Sequence, residues 1–407
     1  MTINPSRLSW FVFPLAVILM WVPLLMLDQW LDNEKQPYLQ VRFASSALLA
    51  LLVCSYAGLR ILTPRGRPSY TAPFLFWLAF SLFSLASTAW SIDPFGTATN
   101  AIVFGAFLFG ATAAMGDDSE LRQGMLWRCS LASLIFFVVA ALTMEMRPRT
   151  FGFINANWFG HFGLAAIILA DMSGRWVRRL TLAGLLVIIY AQSRTILIAW
   201  LIYIGMKVMI RLLGNIRHPI VMTIAVIGLA VFAMLAGQLM ISVIIQNISQ
   251  LLGVSDTTRT GADFAGRGLH WAAGLRVLEN NELFGFGYAT RGGFDETAEG
   301  AALNAHSGMI NLLLDLGFVG ALLFVAAYLS ALTALFKRTL LGNRIALCGA
   351  AFMVSFLPLM ALEPNYLPFG SADLLPLLFS LGIVFRRPRQ ESISPPKRRR
   401  VVWSRAF

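Results

Sequence analysis

The chain has 407 residues, of which 57% are hydrophobic and only 13% are charged, and its mean hydropathy is +0.70. Apolar runs long enough to cross a bilayer recur along its whole length, which excludes a water-soluble globular protein and predicts a polytopic membrane protein. The formal net charge is +12 and the isoelectric point is about 10.2. The basic residues cluster in short loops and in the tail RRPRQESISPPKRRR. This distribution is typical of cytoplasmic flanks of membrane spans, and we expect no nucleic-acid partner.

The apolar runs predict an all-α protein of about twelve transmembrane helices. The predicted spans are 10–27, 40–62, 72–90, 97–115, 123–144, 154–172, 176–192, 194–213, 218–242, 307–336, 343–362 and 367–385. The first is too long for the apolar region of a signal peptide and lacks a small-residue cleavage site, so we expect it to remain as an anchor. The resulting division is nine spans in 1–242, a large outer loop with amphipathic helices in 243–305, three spans in 306–386 and a basic cytoplasmic tail in 387–407.

Lysine and arginine in four short loops predict the orientation, since positive charge is retained in the cytoplasm. These loops contain Arg60, Arg65 and Arg67, then Arg175, Arg178 and Arg179, then Lys207, Arg211 and Arg217, and finally Lys337, Arg338 and Arg344. With twelve spans, all four loops fall on the same side of the membrane as Arg7 and the basic tail. Both termini are therefore predicted to be cytoplasmic.

Seven arginines fall on the predicted outer side, where this rule expects few. They are Arg147, Arg149, Arg194, Arg259, Arg267, Arg276 and Arg291. Because a guanidinium matches the geometry of phosphate oxygens, the cluster indicates an anionic ligand held at the outer leaflet. Arg267 and Trp271 are four residues apart, and Leu275 and Leu278 extend the same face. We therefore predict an amphipathic helix along the membrane surface.

His306 and Arg194 are the residues that most strongly suggest chemistry. His306 begins a span at the end of the arginine-rich loop, where a neutral imidazole can accept a proton from a sugar hydroxyl. The alternative is an interfacial histidine satisfied by lipid headgroups. Arg194 lies between two apolar stretches, where an ionisable side chain is costly and is by default a functional-site hypothesis. Arg267 fits either phosphate binding or a solvated helix surface.

Further candidates for binding pyrophosphate or sugar lie near the predicted outer surface: Arg147, Arg149, Asn157, Trp271, Arg291 and Glu363. Each has a structural alternative. Asn157 can cap a helix, and Trp271 can anchor an aromatic belt. Glu363 and Asp373 bracket a predicted outer loop, EPNYLPFGSAD, which can supply a carboxylate to orient a histidine or an arginine.

Several kinds of site are missing from the sequence. It has no P-loop, nucleotide fingerprint or nucleophile elbow, and its cysteines and histidines lack metal-ligand spacing. His161 and His270 have no obvious partner, and we expect both to be structural. Any chemistry is therefore expected to need neither metal nor cofactor and to use a pre-activated donor.

Four stretches, in this order, resemble the O-antigen ligase and O-antigen polymerase superfamily of bacterial inner-membrane glycosyltransferases. They are FGFINANWFG, SRTILIAW, GRGLHWAAGLRVLENNELFGFGYA and NAHSGMINLLLDLGFVG. The resemblance covers roughly residues 147–336. It implies a GT-C-like membrane fold with its active site facing the periplasm.

The resemblance also implies a reaction. A glycan is transferred from undecaprenyl pyrophosphate to an acceptor hydroxyl, which for the ligase belongs to lipid A-core. His306 matches the family's essential histidine as candidate base, and Arg194 and Arg267 match its arginine positions as candidate pyrophosphate ligands. A single displacement without metal would invert the anomeric carbon.

Other functions stay open. The polymerase of the same superfamily is associated with an arginine followed eleven residues later by glycine, a spacing found here at Arg149 to Gly160 and Arg276 to Gly287. A protein O-oligosaccharyltransferase is a second possibility, and a transporter or flippase for lipid-linked sugar is a third, from a different class. One large outer loop and the absence of matched broken helices favour the lipopolysaccharide ligase.

Overall fold

The computed structural model describes most of the helical part of the chain. The described residues are 5–22, 35–62, 71–143, 146–147, 150–151, 154–155, 157–191, 193–212, 220, 224, 228, 267–279, 281–290, 307–363 and 373–386. The backbone alone is described at several positions, including Arg147, Asn157, Arg194 and Arg267.

Long apolar helices account for nearly all of these residues. They are α1 Pro5–Trp21, α2 Lys35–Ile61, α3 Ala72–Ala86, α4 Pro94–Met115, α5 Ser119–Thr143, α6 Asn157–Ser173, α7 Val177–Tyr190, α8 Arg194–Leu212, α9 Arg267–Leu278, α10 Gly308–Leu340, α11 Arg344–Leu362 and α12 Leu374–Val384. A 3-10 turn, Ser87–Ala89, extends α3. Asp93 caps α4, and Asn343 caps α11.

The predicted all-α architecture is confirmed for the described residues apart from one small antiparallel sheet, which precedes α6. Its strands are β1 Met146–Arg147, β2 Thr150–Phe151 and β3 Ile154–Asn155. Arg147 pairs with Thr150, and Phe151 pairs with Ile154. These six residues lie between α5 and α6.

Within the described ranges, seven helices are long and apolar enough to cross a membrane: α2, α3 with its 3-10 turn, α4, α5, α8, α10 and α11. Segments of α1, α6 and α12 form shorter apolar helices. The chain is thus a polytopic membrane protein. The expectation of twelve spans and a large outer loop stays a prediction, because residues 229–266 and 291–306 lie outside the described residues.

An aromatic cluster joins the first half of the chain to the last helices. Trp77 on α3 lies edge-on to Phe80 and to Phe324 of α10, with ring centroids 5.8 and 5.7 Å apart. Phe80 also contacts Phe104 of α4 at 6.1 Å. All four rings are almost fully buried, and edge-to-face packing stabilises such pairs beyond the area they bury.

Basic side chains gather at one end of the bundle, which we call the basic end. Arg60 in the last turn of α2 pairs with Asp117 after α4, and Lys207 of α8 pairs with Asp171 of α6. Arg386 after α12 donates to the carbonyl of Gly116 at 3.3 Å. These helices run in the same direction, so their opposite ends also lie together. We call that end of the bundle the site end.

Helices α6 and α7 approach through a pair of glycines. A Cβ atom added to Gly163 would lie 2.5 Å from the carbonyl oxygen of Gly184, and one added to Gly184 would lie 2.6 Å from that of Gly163. Small residues permit such close contact between membrane helices. A side chain at either position would push the two backbones apart.

We expect Gly163→Ala to lower the free energy of unfolding by about 1–3 kcal/mol, because the added methyl group overpacks the contact. Gly205→Ala on α8 is the control, because a Cβ there meets nothing within 4 Å. It should be neutral or stabilise by up to about 1 kcal/mol. Thermal unfolding in detergent measures the stability of both variants. Equal midpoints would show that the contact between Gly163 and Gly184 does not limit how closely the two helices pack.

Candidate functional site

Four helix ends meet at the site end. Helices α6, α10 and α12 begin there, and α11 ends there at Glu363. The amide of Gly308 donates to the carbonyl of Glu363 at 2.7 Å, and Ser307 caps α10 by accepting from the amide of Ile310. The start of α10 is therefore fixed to the end of α11.

A buried pair of a histidine and a carboxylate lies at the same end. Nδ1 of His161 on α6 contacts the Asp373 carboxylate at the start of α12, and the two side chains are 3% and 0% exposed. The Glu363 carboxylate acts electrostatically on the same imidazole. The expectation that His161 lacks a partner was wrong, because its partner lies 212 residues away in the sequence.

Helix lengths place this pair well inside the bundle. Helix α12 has 11 residues and is therefore about 16 Å long. His161 precedes the end of α6 at Ser173 by 12 residues, or about 18 Å. Both helices end at the basic end, so the pair lies about 16–18 Å from that end, inside the bundle.

Helix α10 is broken at Gly317, which has φ +61° and ψ −167°. A break in a membrane helix frees backbone groups that hydrocarbon cannot satisfy. Here the segment Glu282–Thr290, which we call the clamp, satisfies them. Phe286 and Gly287 donate to the carbonyls of Leu314 and Asp315 at 2.8 Å each.

The clamp also accepts hydrogen bonds from the other side of the break. Phe318 donates to the carbonyl of Glu282 at 2.7 Å, and Val319 donates to that of Leu283 at 3.1 Å. A Cβ atom at Gly317 would lie 2.3 Å from the carbonyl carbon of Leu283, and one at Gly285 would lie 2.6 Å from that of Asp315. Only glycines allow the two backbones to lie this close.

Side chains tie the clamp to the rest of the site end. The buried Asp315 carboxylate accepts from the amide of Ala289 at 2.9 Å, and Ser87 accepts from the amide of Tyr288 at 3.0 Å. Burial, and after it the Asp315 charge, raise the pKa of the Tyr288 hydroxyl well above its ordinary value. That hydroxyl is therefore neutral at physiological pH and is not a base.

The apolar side chains of the clamp face outward. Leu283 and Phe284 are 61% and 50% exposed, and the Trp90 indole donates to the carbonyl of Phe284 at 3.1 Å. Amphipathic aromatic rings favour the boundary between hydrocarbon and headgroups. The rings of Trp90 and Phe284 therefore favour a position of the clamp at a membrane surface.

The structure describes the predicted site residues to different extents. Residues of the predicted amphipathic helix form helix α9, with Arg267 as its first residue and Trp271 half-buried, and its place on the membrane surface stays a prediction. Arg194 begins α8, Asn157 begins α6 and Arg147 lies in β1, each with only its backbone described. Glu363 is buried at the end of α11, beside the start of α10. His306, Arg149 and Arg291 lie outside the described residues.

Sequence reasoning missed two residues of the site end: His161 as a paired residue, and Asp315. Each is an ionisable residue in or beside an apolar run, and this signal marks a functional-site hypothesis. Within the described ranges, no three histidine, cysteine, aspartate or glutamate side chains are grouped as metal ligands.

We expect Gly317→Ala to reduce the stability of the protein, because the new methyl group would displace the clamp from the break. Gly342→Ala is the matched control. Gly342 also has positive φ, at +85°, but nothing lies within 4 Å of its added Cβ. The control should cost only about 1–2 kcal/mol of backbone strain. Thermal unfolding midpoints in detergent test this, and equal losses in the two variants would contradict a structural role for the clamp.

A comparison with known protein families finds a match in the region that contains the clamp. The family model described as O-antigen ligase matches residues 180–325, from α7 into α10. The match includes Arg194, Arg267, the clamp and the break at Gly317. A comparison with curated proteins finds no match. Members of the matched family are glycosyltransferase-like enzymes. The resemblance to the O-antigen ligase and polymerase superfamily predicted from the sequence is thereby confirmed over residues 180–325.

Proposed function

We propose that this protein is an O-antigen ligase. It transfers a glycan from undecaprenyl pyrophosphate to a sugar hydroxyl of lipid A-core at the periplasmic face of the bacterial inner membrane. The observation that carries the proposal is the family match over residues 180–325, since that region contains Arg194, Arg267 and His306. It also contains Trp271 and Arg291, which we assign to substrate binding with Arg147, Arg149, Asn157 and Glu363.

In the proposed mechanism, His306 removes the proton of the acceptor hydroxyl. The oxygen attacks the anomeric carbon, and the bond from that carbon to the pyrophosphate breaks. Arg194 and Arg267 stabilise the negative charge that develops on the leaving group, because guanidinium groups donate in pairs to phosphate oxygens. A single displacement inverts the anomeric carbon, and neither metal nor cofactor is required.

The distribution of charge supports the proposed orientation. The described basic side chains cluster where α2, α8, α10 and α12 end, which suits the cytoplasmic side. Arg194 and Arg267 begin α8 and α9, and α8 ends at the basic end. An outward-facing site end gives these arginines access to a donor in the outer leaflet. Both termini are then cytoplasmic.

The broken helix α10 bears on the transporter alternative. Transporters use unwound helix segments whose free backbone groups bind substrate or ions. At Gly317 the clamp already satisfies the amides of Phe318 and Val319 and the carbonyls of Leu314 and Asp315. The break therefore supports a fixed scaffold for chemistry better than a transport site.

We expect purified protein to join an undecaprenyl-pyrophosphate-linked glycan to lipid A-core in the presence of EDTA. His306→Ala should reduce the rate by about 10²–10⁴-fold, the usual contribution of a general base. His270→Ala is the matched control and should retain the rate, because His270 is predicted to be structural. Gel mobility of the lipid A-core product measures transfer. Lengthening of the donor instead would favour the polymerase, and sugar crossing liposomes without any product would favour the transporter.

Arg267→Lys should lower kcat by about 10²-fold, because lysine keeps the charge but loses the paired donors that hold the leaving group. The control is Arg276→Lys on the same helix, where the side chain is exposed. It should leave transfer unchanged. Steady-state kinetics with both variants test the assignment. Loss of activity in Arg276→Lys, together with lengthening of the donor by the wild type, would favour the polymerase, because Arg276 and Gly287 have the spacing associated with that enzyme.

A further inference from the structure

An exposed surface of basic and aromatic side chains at the basic end has no part in the proposed mechanism. It surrounds the turn between α6 and α7, and we call it the turn patch. Its members are Arg175, Trp176, Arg178 and Arg179. The last three are exposed, and Arg175 is half-buried. Amphipathic aromatic rings in membrane proteins are typical of the boundary between hydrocarbon and headgroups.

The backbone and two neighbours hold the Trp176 ring at this surface. Its φ of 50° and ψ of 28° lie in the left-handed region, which is rare for a bulky residue. The ring lies edge-on to Trp127 of α5, with centroids 5.8 Å apart. The Arg179 guanidinium lies 5.4 Å from the centroid of the Trp176 ring, a distance that permits a cation–π interaction. An aromatic ring and a positive charge are thus held together at the end of the bundle.

The positive charge of the turn patch is not neutralised within the described part of the chain. No described carboxylate pairs with Arg175, Arg178 or Arg179. Asp171, the nearest acidic residue in the sequence, pairs with Lys207 instead. Two of the arginines also lie in the first turn of α7, where the helix dipole disfavours positive charge. An anionic partner would offset both effects.

The exposed face of α7 continues from these arginines as an apolar stripe. Leu182, Leu186 and Ile189 are each more than half exposed, and their spacing from Arg179 places them on one face of the helix. The opposite face, with Gly184, packs against α6. From Arg179 to Ile189 the helix rises about 15 Å, which is half of a hydrocarbon thickness of about 30 Å. This face therefore has charge at one end and apolar side chains over the depth of one leaflet.

We propose that the turn patch and this stripe bind one anionic phospholipid. The arginines hold the headgroup phosphate, since guanidinium groups donate in pairs to phosphate oxygens. The acyl chains lie along Leu182, Leu186 and Ile189. The ligand is a lipid rather than a soluble phosphate compound, because only a lipid contacts the charged and the apolar parts of the face at once. Binding here is independent of glycan transfer, which the proposed function places at the opposite end of the bundle.

Native mass spectrometry of the purified protein with phosphatidylglycerol or phosphatidylcholine tests the site. We expect one phosphatidylglycerol to bind at least about tenfold more tightly than phosphatidylcholine. One arginine near an anionic lipid surface contributes about fivefold in affinity. Arg178→Gln with Arg179→Gln should therefore weaken phosphatidylglycerol binding by about 25-fold and leave phosphatidylcholine binding unchanged. The unfolding midpoint should be unchanged or raised, because the loss of positive charge suits the start of a helix.

The matched control is Arg211→Gln with Lys337→Gln. It removes the same charge from exposed positions in the last turns of α8 and α10, which also end at the basic end. This variant should keep most of the wild-type affinity for phosphatidylglycerol. Equal weakening in the two double variants would overturn the site and leave only a general attraction between the basic end and anionic lipid.

Two further outcomes would overturn the proposal. Equal binding of phosphatidylglycerol and phosphatidylcholine by the wild type would show that the turn patch does not recognise the charge of the headgroup. Glycerol phosphate carries a phosphate group but no acyl chains. Displacement of bound phosphatidylglycerol by an equal concentration of glycerol phosphate would show a site for a soluble anion that does not use the apolar stripe.

Discussion

Hydrocarbon cannot hydrogen-bond, and this constraint governs the arrangement of the site end. At three described positions there, a polar group that leaves a regular helix is met by another part of the chain. The break at Gly317 is met by the clamp, the start of α10 by the carbonyl of Glu363, and the His161 imidazole by Asp373. These contacts join segments far apart in sequence, so the same bonds that satisfy polar groups also fix the relative positions of the helices.

The clamp links the arginine-bearing helix to the helix that follows His306. Helix α9 ends at Leu278, and the clamp begins at Glu282 and lies in the break of α10. Four backbone hydrogen bonds cross the break, and the Asp315 carboxylate holds the amide of Ala289. A reaction that needs a base and a leaving-group ligand in fixed positions benefits from such a rigid connection, since displacement of about 1 Å can cost 10²-fold in rate.

Much of this fold could be predicted from periodicity and composition, and the site only in part. A long apolar run predicts a membrane helix by itself, because only a hydrocarbon environment suits so many apolar side chains in succession. The helix at 267–278 is predicted from the spacing of Arg267, Trp271 and Leu278. The His161–Asp373 pair could not be predicted in this way, because two residues 212 positions apart share no local pattern. The Gly-x-Gly of FGFGY is visible in the sequence, but its purpose depends on a helix that begins more than twenty residues later.

The break divides α10 into a part long enough to span the membrane and a part that holds polar groups. From Phe318 to Leu340 the helix has 23 residues, which is about 34 Å and enough to cross the hydrocarbon alone. The residues before the break are thereby released from spanning the membrane and can hold polar groups such as Asp315. Exposed Leu283 and Phe284 lie beside this point, where an apolar surface meets lipid. A membrane enzyme can in this way place a polar site against the bilayer while its helix still spans it.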